Sequence, residues 1–108
     1  MRLLEPLGYL EFIALLDGSG VALTDSGGIQ EETTILGIPC MTLRENTERP
    51  ITVTNGTNIV VGTDPSRIIG AWARIKGEPA TTVRPPLWDG QTAHRIVDVL
   101  RTAFTIGR

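Results

Sequence analysis

The chain has 108 residues, room for one domain with one core and too few for two. Hydrophobic residues make up 41% and charged residues 20%, the balance of a folded globular chain rather than a disordered one. Ten basic against twelve acidic residues give a net charge of −2, which leaves no broad positive field for nucleic acid or an anionic membrane. Cys40 is alone, so no internal disulfide can form, and one Cys with one His cannot assemble a zinc site. No cofactor or metal is expected. No apolar run approaches the ~18 residues of a membrane span. The opening Met1-Arg2-Leu3-Leu4-Glu5-Pro6 is too soon interrupted for a signal peptide, so a reducing cytoplasm is the expected compartment.

In chain order, Arg2–Glu5 reads as a short first strand. Pro6 suits a helix start, and Tyr9, Leu10, Phe12, Ile13 and Leu16 follow at helical spacing until Gly18 and Gly20 stop them. Val21–Thr24 reads as a buried strand and Asp25–Gly28 as a tight turn. Ile29–Leu36 is a short helix with Gly37 at its exit. Pro39–Leu43 is a second buried strand, Arg44–Pro50 a polar loop, and Ile51–Asn55 a helical turn ended by Gly56. Asn58–Val61 reads as a further internal strand. Asp64 caps the next helix with Pro65 at its first position, and Ile68, Trp72 and Ile75 share one helical face. Residues 77–86 hold three prolines and read as a surface connection. Ala93, Ile96, Val97, Leu100 and Phe104 trace an amphipathic helix from about Gln91 to Phe104. Apolar strands alternating with helices predict a parallel α/β sheet of about four strands covered on both sides, part of a larger α/β domain.

The densest chemical signal is Thr24-Asp25-Ser26-Gly27-Gly28-Ile29-Gln30-Glu31-Glu32. A strand ends, two glycines follow and a helix begins, which is where ligands bind in open α/β sheets. Gly27 and Gly28 allow close backbone approach, their N–H groups point out of the helix start with that of Ile29, and Ser26 adds a hydroxyl. Phosphate is the natural guest. Glu32, one turn in, would repel phosphate and suits neutral hydroxyls such as those of a ribose. A plain strand-to-helix turn with solvated glutamates has the same spacing. A serine nucleophile is disfavoured, because Thr24 stands where the G-x-S-x-G elbow needs glycine and His94, on the last helix, has no acidic partner in the sequence.

Arg44–Pro50 follows the next strand, so its loop should lie beside the Ser26 turn, where Arg49 can reach an anion as a fork. A surface loop with internal ion pairs is the alternative. Phe12 can face a base at the mouth or sit with Tyr9 in a helix core. Trp72 and Trp88 are core candidates, and Cys40, in a buried strand, is expected to be inert.

Asp25-Ser26-Gly27-Gly28-Ile29-Gln30-Glu31-Glu32, Leu36-Gly37-Ile38-Pro39, Thr47-Glu48-Arg49-Pro50, Asn55-Gly56-Thr57 and Val61-Gly62-Thr63-Asp64 together resemble the C-terminal domain of the non-hydrolysing UDP-N-acetylglucosamine 2-epimerases. Glu5-Pro6 with Tyr9 and Phe12, and Asp89-Gly90-Gln91 leading into the last helix, fit the same pattern. The resemblance implies a Rossmann-like parallel sheet, residues 1–108 being a partial C-terminal UDP-binding domain of a GT-B-type two-domain fold whose catalytic N-terminal domain is absent. It implies inversion at C2 between UDP-N-acetylglucosamine and UDP-N-acetylmannosamine, by elimination of UDP to a 2-acetamidoglucal and re-addition. Ser26, Gly27 and Gly28 carry over as diphosphate contacts, Glu32 as the ribose contact, Arg49 as a UDP-site arginine and Phe12 as the residue beside uracil. Leu7 departs from the polar residue relatives often carry. No catalytic residue carries over, since the family's acid–base groups lie upstream. The implied partners are the UDP-sugar, the missing N-terminal half and, at full length, a second copy in a homodimer. The chain is then an epimerase fragment inactive alone, a module working with a separately encoded half, or a remnant. The hydrolysing epimerases are the related alternative.

Overall fold

The computed structural model describes residues 1–76 and 85–106. Along these the elements run α1 (Tyr9–Asp17), β1 (Ala22–Thr24), α2 (Gly27–Leu36), β2 (Cys40–Thr42), α3 (Pro50–Thr54), β3 (Asn58–Val60), α4 (Pro65–Ile75) and α5 (Thr92–Ile106). The strands form a parallel sheet in the order β1-β2-β3. The parallel α/β class is as expected, with three strands among the described residues instead of four. Arg2–Glu5 forms no strand: Leu3 and Leu4 stand exposed, and among the described residues β1 has no neighbour on its outer edge. A strand without a neighbour to take its backbone hydrogen bonds is not stable on its own.

The local signals place the remaining elements well. Asp64 caps α4, accepting from the Ser66 N–H at 2.9 Å, and Pro65 sits in the first turn. Gly37 ends α2 at φ +76°, the left-handed conformation that glycine adopts without a Cβ penalty. The first helix begins at Tyr9 rather than Pro6, with Gly8 at its N-cap. Gly27 and Gly28, expected to precede a helix, form the first turn of α2.

The register sets Ala22, Cys40 and Asn58 side by side, then Leu23, Met41 and Ile59, then Thr24, Thr42 and Val60. Alternation sends these rows to opposite faces of the sheet. One face carries the apolar core of Met41, Val61 and Ala71, with Val21, Leu43, Ile59, Ile68 and Ile75 packed around it. The other meets α2 and α3 through Gln30, Thr33, Thr34, Thr42, Thr52 and Asn58, all buried. Cys40 is fully buried on this face. Burial pushes its thiol above the ordinary value, partly offset by a hydrogen bond with Thr33, so little reactive thiolate is present at neutral pH.

Four expectations shift. Leu23 is 48% exposed because β1 is the sheet edge, and β3, read as internal, is the other edge. On α4 the buried residue is Ala71, while Trp72 lies one step round the helix and is 41% exposed. Tyr9 is exposed on α1, where Leu16 is the buried residue. The last helix has the expected period, but its apolar stripe is open, with Phe104 70% exposed. The radius of gyration, 17.4 Å against about 13 Å for a compact chain of this length, agrees that one core does not gather every element. Pro85 and Pro86 belong to the described residues; the rest of the expected surface connection, 77–84, lies outside them.

Gly56 shows how tightly α3 fits. A Cβ there would stand 2.6 Å from Thr34 Oγ1 and 2.6 Å from the Thr52 carbonyl oxygen, which is backbone and cannot rotate away. Gly56→Ala is expected to cost roughly 1–3 kcal/mol, read as a lower urea midpoint. An unchanged midpoint would mean that α3 can move off α2 freely.

Candidate functional site

Parallel pairing puts the carboxyl ends of β1 and β2 side by side, so the segments that follow them meet. After β1, the Ser26 N–H bonds Thr24 Oγ1 at 3.0 Å and the chain turns into α2 with Ser26 as N-cap. The Ser26 hydroxyl oxygen accepts from the Ile29 N–H at 3.5 Å, a long cap. Gly27 and Gly28 occupy the first helical positions, whose N–H groups have no carbonyl partner within a helix. The positive end of the α2 dipole and these amides therefore open on one spot.

After β2, the loop brings Arg49 onto that spot. A Cβ at Gly27 would stand 3.6 Å from Arg49 Cζ and 3.7 Å from its Cγ. The guanidinium lies across the first turn of α2, as the loop argument anticipated. Its Nε donates to Glu31 Oε1, and its Nη1 makes a longer 3.3 Å bond to the Glu48 carbonyl. The hydrogen bond and charge of Glu31 raise the Arg49 pKa above its ordinary value, so the cation is permanent.

The helical period sorts the acidic pair. Gly27 and Glu31 form one i, i+4 row along α2, and Gly28 and Glu32 form the next. Arg49 lies along the first row and pairs with Glu31. The second row stays open: Gly28 is exposed, and a Cβ on it would meet only Ser26 Oγ, at 3.7 Å. Glu32 is half-buried on that open row. Thus Ser26, Gly27, Gly28 and Arg49 come together, Glu32 sits one turn into α2 on the neighbouring row, and Phe12 is half-buried on α1, which packs against α2. His94 is exposed on α5, and the Ser26 oxygen serves as a helix cap, an arrangement without a nucleophile–base pair.

Sequence reasoning missed two residues. Glu31 reads as one of two solvated glutamates until the row assignment puts it beneath Arg49. Gln30, to which the sequence reading gave no role, is buried, 2% exposed. The one available signal is its place in the period, three residues after Gly27, on the face turned to the sheet.

Parallel strands followed by a glycine-rich helix start and an arginine-bearing loop at their carboxyl ends place the chain in the open-sheet α/β class, whose ligand sites lie at those ends. The family described as UDP-N-acetylglucosamine 2-epimerase matches over residues 1–101, and the chain belongs to that family. The UDP-N-acetylglucosamine 2-epimerase of Methanocaldococcus jannaschii is 45% identical over 100 residues, 93% of this chain and 27% of that protein. The Salmonella typhimurium enzyme is 43% identical over 105 residues, 93% of this chain and 28% of its own. The chain thus spans a little over a quarter of the length of these relatives. Among solved structures, the M. jannaschii epimerase in complex with UDP-GlcNAc and UDP superposes with a TM-score of 0.80 at 44% identity, covering 92% of this chain and 27% of that one. The Neisseria meningitidis epimerase bound to UDP-GlcNAc gives 0.82 at 37% identity, covering 94% and 29%. No helix among the described residues is long and apolar enough to cross a membrane.

The cap can be tested directly. Ser26→Ala should lower stability by about 0.5–1 kcal/mol, the low end for an N-cap because the bond is long. A loss above ~2 kcal/mol in urea unfolding would mean that Ser26 holds more than its own helix.

Proposed function

We propose that this chain is the UDP-binding part of a UDP-N-acetylglucosamine 2-epimerase, a Rossmann-like unit from the C-terminal domain of a two-domain GT-B arrangement. The observation that carries the reading is the convergence of Arg49 on Gly27 at the N-terminus of α2. A diphosphate fits there: the Gly27 and Gly28 amides and the Ser26 hydroxyl donate to its oxygens, and Arg49 adds a fixed positive charge. The open Gly28–Glu32 row places a carboxylate one turn further along, where it can accept from the two ribose hydroxyls. Phe12 lies beside the uracil on this reading. The solved relatives in complex with UDP-GlcNAc, one of them also with UDP, support the choice of nucleotide.

In the epimerase reaction the bond between C1 of the sugar and UDP breaks as C2 loses its proton, giving a 2-acetamidoglucal. UDP then re-adds, and C2 takes a proton on its other face. Charge develops on the departing diphosphate, and a cradle of oriented N–H dipoles and one arginine stabilises it most when that charge is greatest. The cradle also keeps UDP within reach for re-addition, which separates epimerisation from hydrolysis. We assign the proton-transfer carboxylates and histidine to the part of the relatives that this chain does not span. A homodimeric, cytoplasmic full-length protein completes the reading.

Isothermal calorimetry should record UDP binding to the 108-residue chain, and Arg49→Ala should weaken it roughly tenfold, the loss expected for one charge-assisted hydrogen bond. No heat at millimolar UDP from a folded chain would sink the nucleotide assignment. The chain alone should not convert UDP-N-acetylglucosamine, and turnover would contradict the placing of the proton chemistry elsewhere.

A further inference from the structure

Arg49 is held by its backbone as well as by its side chain. Its N–H donates to Thr47 Oγ1 at 2.9 Å, and the Thr47 hydroxyl donates to Gln30 Oε1 at 2.5 Å. Asn58 Nδ2 donates to the same Gln30 oxygen at 3.1 Å and to Thr52 Oγ1 at 3.0 Å. The Thr52 hydroxyl donates to the Arg49 carbonyl at 2.7 Å. The five bonds close a ring that starts and ends on one residue. Each hydroxyl uses its single hydrogen, the Gln30 oxygen uses both lone pairs and the Asn58 amide uses both hydrogens. Asn58 Oδ1 accepts from the Thr42 hydroxyl at 2.5 Å, so the Asn58 amide is bonded on both its oxygen and its nitrogen. Gln30, Thr52 and Asn58 are buried, so water cannot stand in for a lost member.

The ring ties the Arg49 backbone to α2, the same helix whose first turn receives the guanidinium. Glu31 then catches the side chain one residue further along that helix. Gln30 and Glu31 thus grip the two halves of Arg49 from adjacent positions. Neither Gln30 nor Thr47 lies on the open Gly28–Glu32 row.

We propose that Gln30 and Thr47 are positioning residues that set where the Arg49 guanidinium stands over Gly27, and through it the affinity for UDP. The proposal rests on the UDP reading of the site. A role confined to fold stability would not act through Arg49, and this difference is measurable.

The test titrates UDP into the wild-type chain, Thr47→Val, Thr47→Ser, Arg49→Ala and the Thr47→Val/Arg49→Ala double variant, with a urea midpoint for each. Thr47 is only half-buried, and Thr47→Ala serves in place of Thr47→Val if that variant does not fold. Thr47→Val should weaken UDP binding roughly fivefold, the worth of one or two hydrogen bonds, and Thr47→Ser should restore it to within about twofold. In the Arg49→Ala background Thr47→Val should add no further loss. The Arg49 Nε–H resonance should be distinct in the wild-type and Thr47→Ser spectra and merge with exchanging arginines in Thr47→Val. Wild-type affinity in Thr47→Val, or an equal loss with and without Arg49, overturns the proposal while the UDP site stands. Absence of UDP binding by the wild-type chain removes the UDP reading itself, and the proposal with it.

Discussion

The structure depends on a polar layer that has been taken out of water. Between the sheet and α2 with α3, buried Gln30, Thr33, Thr34, Thr42, Thr52 and Asn58 replace the aliphatic residues usual at such an interface. Each unpaired buried donor or acceptor costs about 1–3 kcal/mol, so these side chains must meet one another. Dispersion contacts constrain distance, whereas a ring of hydrogen bonds constrains direction as well. The layer therefore fixes α2 against β3 more narrowly than apolar packing would. Thr33 donates back into its own helix, to the Ile29 and Gln30 carbonyls at 2.8 and 3.1 Å, and meets the sheet at Cys40, while Gln30 reaches across to Thr47 and Asn58.

The sheet separates two tasks. Met41, Val61 and Ala71 with their half-buried neighbours supply the hydrophobic stabilisation on the α4 side. The α2 side, where the candidate site opens, contributes orientation instead. This division explains why a chain with so small an apolar core still presents a defined helix terminus and an arginine aimed at it. It also explains why Cys40, on the polar side but sealed, is a filler with a raised thiol pKa rather than a reactive group.

Local chemistry was legible from the residues. Pro65 after Asp64, Gly37 after Leu36 and the glycine pair after Thr24 each name a backbone position that few other residues suit, and each element boundary follows within two residues. The side-by-side placing of Ser26 and Arg49 also followed, because it needs only parallel strands in sequence order. What failed were statements about partners. Leu3, Leu4, Trp72 and the apolar stripe of α5 have the pattern of buried residues, and periodicity tells which face is apolar without telling what covers it. Gln30 is a different case, since the sequence reading assigned it no place. Nothing local marks a glutamine beside two glutamates as buried, and the residues across the interface, Thr47 and Asn58, are what make its burial favourable.

The two glutamates show how a site divides labour that a linear motif blurs. Glu31 and Glu32 are adjacent in sequence and about 100° apart on the helix, so they belong to different rows. Glu31 follows Gly27 and faces the arginine; Glu32 follows Gly28 and is half-buried on the row that Arg49 leaves free. A carboxylate at the end of both rows would make the helix terminus a poor place for a diphosphate unless one of them were neutralised. Arg49 does this for Glu31, and in doing so its side chain is drawn flat along the first row instead of across the second. The open row then keeps a dipole and exposed amides at one end and one uncompensated carboxylate a turn away. On the UDP reading proposed above, that sequence of positive then negative along about 6 Å of helix surface receives the diphosphate and then the ribose diol. A free phosphate would meet only the first half of it.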